Sequence, residues 1–287
     1  MKPFGSELRN GRAVARPGCR NGGPSLAAIF GATRPLSSLV AGTLTAAAAS
    51  AGRYGFTLRS AVAGLTMTFL AAFGFIVNDI FDYHKDRAAG VRRPIATGAL
   101  SRAGAQWLAV AMLFCAGLSS GIVGSGGATV GATAALLLLY SPIAQRFPLC
   151  KDAYVAVLCC ALLWYGATAG NAQFPWTSYA ALACFVLGRE VLMDSEELPG
   201  DSRAGMRTIA VILGPRRVAG MGQSLMLLAA ASLVVIVHGS LAKSASAVTL
   251  VSLIWIFAWP GLDRGSRIGL SRLPMLLGSV ALACGSA

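Results

Sequence analysis

The stretch Asn78-Asp79-Ile80-Phe81-Asp82-Tyr83-His84-Lys85-Asp86 places three carboxylates at the end of a run, 59–83, that is otherwise apolar. On a helix Asp79, Asp82 and Asp86 fall at i, i+3 and i+7 and share one face. Asn78, one turn before Asp82, adds an amide oxygen beside that face. A charge inside an apolar membrane span costs about 3 kcal/mol on insertion scales, so such residues face a cavity and mark a site. Hard carboxylate oxygens gathered on one face suit Mg²⁺, which keeps several waters and completes its shell with phosphate oxygens.

The same pattern recurs 115 residues later: Asp79 corresponds to Asp194, Asp82 to Glu197, Asp86 to Asp201, Gly90 to Gly205 and Arg92 to Arg207. Matches at one fixed offset in a chain with only 11 acidic residues mark an internal pseudo-repeat. Two acid-bearing helix ends are then able to face each other across one pocket.

The surrounding composition says what solvent these ends sit in. Of 287 residues 55% are apolar and 12% charged, with a mean hydropathy of +0.66, which excludes an ordinary soluble domain. A net charge of +13 would suggest nucleic acid in a soluble chain. Here the basic residues lie between apolar runs of spanning length, so the positive-inside rule accounts for them and no nucleic-acid partner is expected. The seven cysteines form no C-x-x-C pair and read as small buried hydrophobes rather than a disulfide framework or zinc site.

Apolar runs at about 26–50, 59–83, 103–124, 127–144, 151–171, 174–197, 221–240, 245–262 and 269–285 are each near the ~20 residues of a bilayer-spanning helix. The expectation is an all-α polytopic membrane domain, 25–287, of nine transmembrane helices. It follows a basic, disordered cytoplasmic tail, 1–24, for which an organellar transit segment is the alternative. With nine spans, every one of the 24 Lys and Arg residues except Arg53, Arg59 and Lys243 falls on the side of the N-terminus, which is thereby the cytoplasmic face or its organellar equivalent. All 11 acids share that side, and all but Glu7, Asp152 and Asp263 lie within 79–86 and 190–201. A merely solvated face would scatter them among all its loops.

The connections beside the motifs, 85–104 and 198–217, are rich in arginine, whose forks take phosphate oxygens bidentately. Lipid-headgroup contact competes with substrate binding for each of these residues. Arg92 and Arg207 carry more weight because they are related by the repeat. Tyr140, at the end of the fourth run, is either an interfacial aromatic or a donor at the site, and Arg146 and Lys151 add positive charge from a third connection. His84 reads as a phosphate contact or a polar loop residue.

From about Arg34 onward the chain resembles the UbiA superfamily of intramembrane prenyltransferases. The family's N-D-x-x-D-x-x-x-D is matched by Asn78, Asp79, Asp82 and Asp86, followed by Arg93-Pro94. Its second signature is met by Arg189, Glu190, Asp194, Gly200, Asp201, Gly205 and Thr208, with Glu197 replacing an aspartate, and its Arg-Pro near the first span appears as Arg34-Pro35. Two positions depart from the pattern. The lysine that often follows the helix-4 tyrosine is missing from Ala144-Gln145-Arg146, and Pro199 stands where an acid is common.

The resemblance implies nine helices around a central cavity, with both motifs holding Mg²⁺ against the diphosphate of an isoprenoid donor. Asp79, Asp82, Asp86, Asp194, Glu197 and Asp201 would be metal ligands, directly or through water, with Asp79, Asp82, Asp194 and Asp201 the catalytic set. Asn78, Arg34, Arg92, Arg93, Tyr140, Arg146, Lys151 and Arg207 would bind substrate. The expected enzyme is a multi-pass integral membrane transferase of the cell inner membrane, or of an organellar membrane, with its active-site loops on the cytoplasmic side. It moves a prenyl group from an isoprenyl diphosphate to a lipophilic acceptor by Mg²⁺-assisted ionisation and electrophilic attack. An aromatic acceptor is expected first, and the candidates are an aromatic acid, a quinone precursor, a glycerol phosphate lipid, a haem-like ring or another polycycle. A terpene cyclase of the same family is the alternative.

Overall fold

The computed structural model describes residues 25–51, 55–173, 176–203, 205 and 207–285; the basic tail read at 1–24 lies outside them. The elements are α1 (Leu26–Thr33), α2 (Pro35–Ser50), α3 (Leu58–Phe81), α4 (Tyr83–Ala89), α5 (Arg102–Val123), α6 (Gly127–Arg146) and a 3-10 turn (Pro148–Cys150). There follow α7 (Lys151–Gly170), α8 (Trp176–Arg203), α9 (Ile209–Leu213), α10 (Pro215–Ile236), α11 (Ser240–Ala258), α12 (Arg264–Leu270) and α13 (Arg272–Gly285). Among the described residues there is no strand. Polar residues begin several helices by satisfying first-turn amides: Ser25 accepts from the Ala28 amide, Thr57 and Ser60 form a reciprocal capping box, and Ser101 accepts from the Gly104 amide.

Among the described residues six segments are long and apolar enough to cross a membrane: Leu58–Phe81, Arg102–Val123, Gly127–Arg146, Pro148–Gly170, Pro215–Ile236 and Ser240–Ala258. Their outward faces carry large apolar side chains, with Trp107 75%, Ile122 77% and Val235 81% exposed. Helices satisfy their own backbone groups, and hydrocarbon accepts such side chains where water would not. The chain is an integral membrane protein.

The apolar runs overstate the number of unbroken spans. Run 26–50 divides into α1 and α2 at Arg34, which adopts a left-handed conformation (φ 44°) before Pro35, a residue that restricts its predecessor away from the helical region. Run 269–285 begins inside α12 and breaks at Ser271, leaving α13 with 14 residues. Run 174–197 continues as α8 to Arg203, so its last turns carry charge rather than lipid-facing apolar groups.

Contacts between helices close a circuit, α2–α3–α6–α7–α8–α10–α11–α13 and back to α2, with α5 packed outside α3. Small residues set the tightest crossings, as expected where helices pack by shape in a membrane. A Cβ on Gly188 of α8 would come 2.7 Å from the Gly222 carbonyl oxygen of α10, and one on Gly222 would come 2.5 Å from the Gly188 carbonyl oxygen. That crossing lies less than two turns before Asp194 and fixes the height of the second acidic motif.

Candidate active site

The first motif spans a helix end. α3 stops at Phe81, Asp82 is its C-cap, and α4 resumes at Tyr83. The Asp82 amide still bonds to the Asn78 carbonyl and the Asp86 amide to the Asp82 carbonyl, both at 2.8 Å, so the interruption preserves the helical pitch. The single helix face expected for the three acids is therefore a near-continuous one with a bend at Asp82.

Arginines hold these acids. Arg34 pairs with Asp79 through Oδ1, and Arg93 Nη1 lies 3.3 Å from Asp79 Oδ1 and 2.7 Å from Asp86 Oδ2, so one guanidinium ties the first and last acids together. The left-handed backbone of Arg34 swings its side chain back to α3, where its guanidinium also lies 4.9 Å from the Phe75 ring centre. Asp82 is held differently: Ser141 Oγ donates to Asn78 Oδ1 (3.0 Å), and Asn78 Nδ2 donates to Asp82 Oδ2 (3.1 Å).

The second motif is lined up along α8. One oxygen each from Asp194, Glu197 and Asp201 lies within 4.8 Å of the others, a spacing that suits one divalent ion. Asp194 is 1% and Asp201 0% exposed, and apart from two lysine ammonium groups no hydrogen-bond partner meets their carboxylate oxygens among the described residues. Lysines supply the counter-charge. Lys151, the first residue of α7, reaches Asp194 Oδ1 at 2.5 Å and Glu197 Oε2 at 3.3 Å. Lys85 of α4 reaches Asp201 Oδ1 at 3.1 Å. Buried carboxylates whose partners are ammonium groups on flexible stems fit a hard cation that can take the place of those charges.

The Lys85–Asp201 pair also joins the two motifs, which meet at one end of the circuit. Tyr140 is half-buried at the end of α6, within the electrostatic field of Glu190, Lys151, Glu197 and Asp82. Arg92, Arg146 and Arg207 are exposed, and among the described residues none of them pairs with a carboxylate. Glu190 pairs with Arg189 at 3.1 Å, while Arg34 is engaged by Asp79.

Several neighbours were given no role from the sequence: Lys85 and Ser141; Gln145, whose side chain lies beside Asp82; and Asp152, 2% exposed beside Lys151 with Oδ2 unpartnered. Lys85 lies inside the first motif and could have been weighed there. Ser141, Gln145 and Asp152 reach the site only because α6 and α7 fold against α3 and α8.

Comparison with known proteins places this arrangement. The model of the UbiA prenyltransferase family matches residues 39–278. A digeranylgeranylglyceryl phosphate synthase of Methanoregula boonei is 35% identical over 201 residues, 66% of this chain and 70% of that protein. The apo structure of a UbiA homolog from Aeropyrum pernix K1 superposes with a TM-score of 0.75 at 21% identity, covering 86% of this chain and 97% of that one. A UbiA homolog from Archaeoglobus fulgidus bound to DMAPP and Mg²⁺ superposes with a TM-score of 0.63 at 18% identity, over 88% and 98%. With the family model covering most of its length, this membrane protein belongs to the UbiA prenyltransferase family.

Proposed function

We propose that the protein transfers a prenyl group from an isoprenyl diphosphate to a lipid-phosphate acceptor at the meeting point of the two acidic motifs. The observation that carries this reading is the Lys85–Asp201 contact, which brings both motifs to one place. The family relationship supports the reaction class, and the bound DMAPP and Mg²⁺ of the Archaeoglobus homolog support the donor and the metal. The aromatic acceptor expected from the sequence gives way to a glyceryl phosphate lipid, because the curated relatives are named digeranylgeranylglyceryl phosphate synthases.

In this reading Asp194, Glu197 and Asp201 hold Mg²⁺, with Asp82, Asp79 and Asp86 contributing from the facing motif. Bound there, the metal neutralises charge that develops on the leaving diphosphate. Arg93, Lys85 and Lys151 move from carboxylate to phosphate oxygens, and Arg92, Arg146 and Arg207 close over them from the exposed loops. Asn78, braced by Ser141, fixes Asp82, and Tyr140 donates from the α6 side. The allylic C–O bond breaks with its electron pair leaving on the diphosphate. The acceptor hydroxyl oxygen then bonds to the allylic carbon and gives its proton to the departed diphosphate, while apolar walls keep water out.

The nine-helix arrangement is retained by counting α1–α2 and α12–α13 as broken spans and α8 as a span with a charged end. The positive-inside bias then puts the site on the cytoplasmic side. The decisive assay supplies geranylgeranyl diphosphate and Mg²⁺ to the purified protein, with and without geranylgeranylglyceryl phosphate. Digeranylgeranylglyceryl phosphate formed only with the acceptor is expected. Cyclic hydrocarbons formed without it would identify a terpene cyclase instead.

A further inference from the structure

The first residue of α13, Arg272, brings another guanidinium to the charged end, within electrostatic reach of Arg189 and Arg34. Packing explains the convergence. Met275 and Leu276, one turn further along α13, pack against the cluster of Val40 and Leu44 from α2 and Leu182 and Val186 from α8. The first turn of α13 is thereby level with the break before α2 and with the turn of α8 that carries Arg189.

Two members of this trio are paired and, among the described residues, the third is not. Arg34 is committed to Asp79, which Arg93 already shares, and Arg189 Nη1 is committed to Glu190. The Nε groups of both Arg189 and Arg272 are buried without an acceptor, and among the described residues no carboxylate pairs with Arg272. Buried donors facing nothing, on like charges that repel one another, are costly unless an anion sits among them. Guanidinium forks match the oxygens of a phosphate monoester. The three arginines come from the α1–α2 break, α8 and α13, whereas the lysines at the second motif come from α4 and α7.

We propose that Arg34, Arg189 and Arg272 form a second anion site, which takes the phosphate of the lipid acceptor while the donor diphosphate is held at the acidic motifs. This rests on the transferase reading above. It gives the enzyme a means of selecting an acceptor that bears a phosphate monoester over the same lipid ending in a hydroxyl.

The test measures thermal unfolding of the purified protein in detergent with three probes: geranylgeranylglyceryl phosphate, the same lipid without its phosphate, and phosphatidylglycerol as a bulk anionic headgroup. The phosphate monoester is expected to raise the unfolding midpoint, and the other two are not. Arg272→Gln should be at least as stable as the wild type without ligand, because repulsion is relieved. It should lose the lipid-phosphate shift, with apparent affinity for that lipid falling by about tenfold or more. Equal shifts from the phosphorylated and dephosphorylated lipids would overturn the site. An equal shift from phosphatidylglycerol would reassign it to the membrane surface, and a full shift retained by Arg272→Gln would remove Arg272 from it. If Arg272→Gln does not fold, the wild-type comparison decides alone. Mg²⁺-dependent binding of inorganic pyrophosphate to the same preparation separates the two ideas: present without phosphate-lipid preference, only the anion site fails; absent, the transferase reading fails.

Discussion

The two acidic motifs are related by one offset in sequence and are neutralised in different ways. In the first, Arg34 and Arg93 hold Asp79 and Asp86, with Arg93 bridging both. In the second, Lys151 and Lys85 hold Asp194, Glu197 and Asp201. A guanidinium offers several donors in a fixed fork and is hard to displace, whereas an ammonium is a compact point charge on a flexible stem. The second motif also gathers one oxygen from each of its three carboxylates within 4.8 Å, with lysine ammonium groups beside them. On the proposed reading a divalent ion would enter the second motif at lower cost, exchanging one cation for another, while the first would be a more rigid wall that orients phosphate. Similar acids thus acquire different tasks from the cations placed beside them.

The largest test of that asymmetry is Asp194→Asn, which keeps shape and removes charge. It should lower prenyl transfer by about 100- to 1000-fold, the range for losing one preorganised electrostatic contact, and should abolish Mn²⁺ binding measured by electron paramagnetic resonance. Asp82→Asn should lower transfer as well while leaving measurable Mn²⁺ binding. If the two variants lost metal equally, the motifs would be equivalent ligand sets and the division of labour would be wrong.

Next is the crossing that sets the second motif alone. Gly222→Val would drive a side chain into the Gly188 carbonyl and the Leu192 backbone, at the 2.5 and 2.8 Å approaches already made by the first carbon. Overpacking of this kind costs about 1–3 kcal/mol. Unfolding in detergent should register that loss, and Mn²⁺ binding should weaken with it. Normal metal affinity in a destabilised Gly222→Val chain would show that the α8–α10 crossing does not position the ligands.

Exchanging the two cation types is a finer probe. Arg93→Lys leaves a single point charge where a fork spanned Asp79 and Asp86 and should reduce transfer by about tenfold. Lys151→Met frees Asp194 and Glu197, so Mn²⁺ should bind about tenfold more tightly without diphosphate while pyrophosphate binds more weakly, a coupling within the usual range between linked ligands. Unchanged Mn²⁺ affinity in Lys151→Met would mean that the ammonium does not compete with the metal.

Both motifs were legible in the sequence because their evidence is local: spacing along one helix is written in residue numbers, and the shared offset adds an internal check. The partners were not. Lys151 precedes Asp194 by more than forty positions and meets it only because α7 packs on α8, and Arg272 reaches Arg34 across the entire chain. The breaks inside two of the nine apolar runs were hidden for a related reason. Hydropathy sees composition, whereas the break at Arg34 is a single left-handed residue inside an apolar run, signalled only by the proline that follows. At Ala144-Gln145-Arg146, where the expected lysine is missing, Arg146 is exposed, and it is Lys151 that points an ammonium at the acids from the next helix. A missing residue can be replaced in space by one that alignment along the chain does not pair with it.

The smallest expected effect is on pH dependence, and it concerns the first motif. Burial raises the carboxyl groups of Asp82 and Asp86 above the ordinary 3.8; Lys85 offsets this at Asp82, and Arg93 does so at Asp86. With folded values above unfolded ones, protonation favours the metal-free fold: that stability is fully present below the unfolded value and is lost as pH rises through the folded one. Metal binding has the opposite sign, because the ligands must be ionised. The Mg²⁺ concentration for half-maximal transfer should therefore climb as pH falls, by about tenfold per pH unit once the pH is below a raised value that governs one ligand. Asp86→Asn should flatten that rise if Asp86 governs it, whereas an unaltered profile would place the controlling proton in the second motif and make its lysines, rather than the arginines of the first, the element that sets how the site responds to acid.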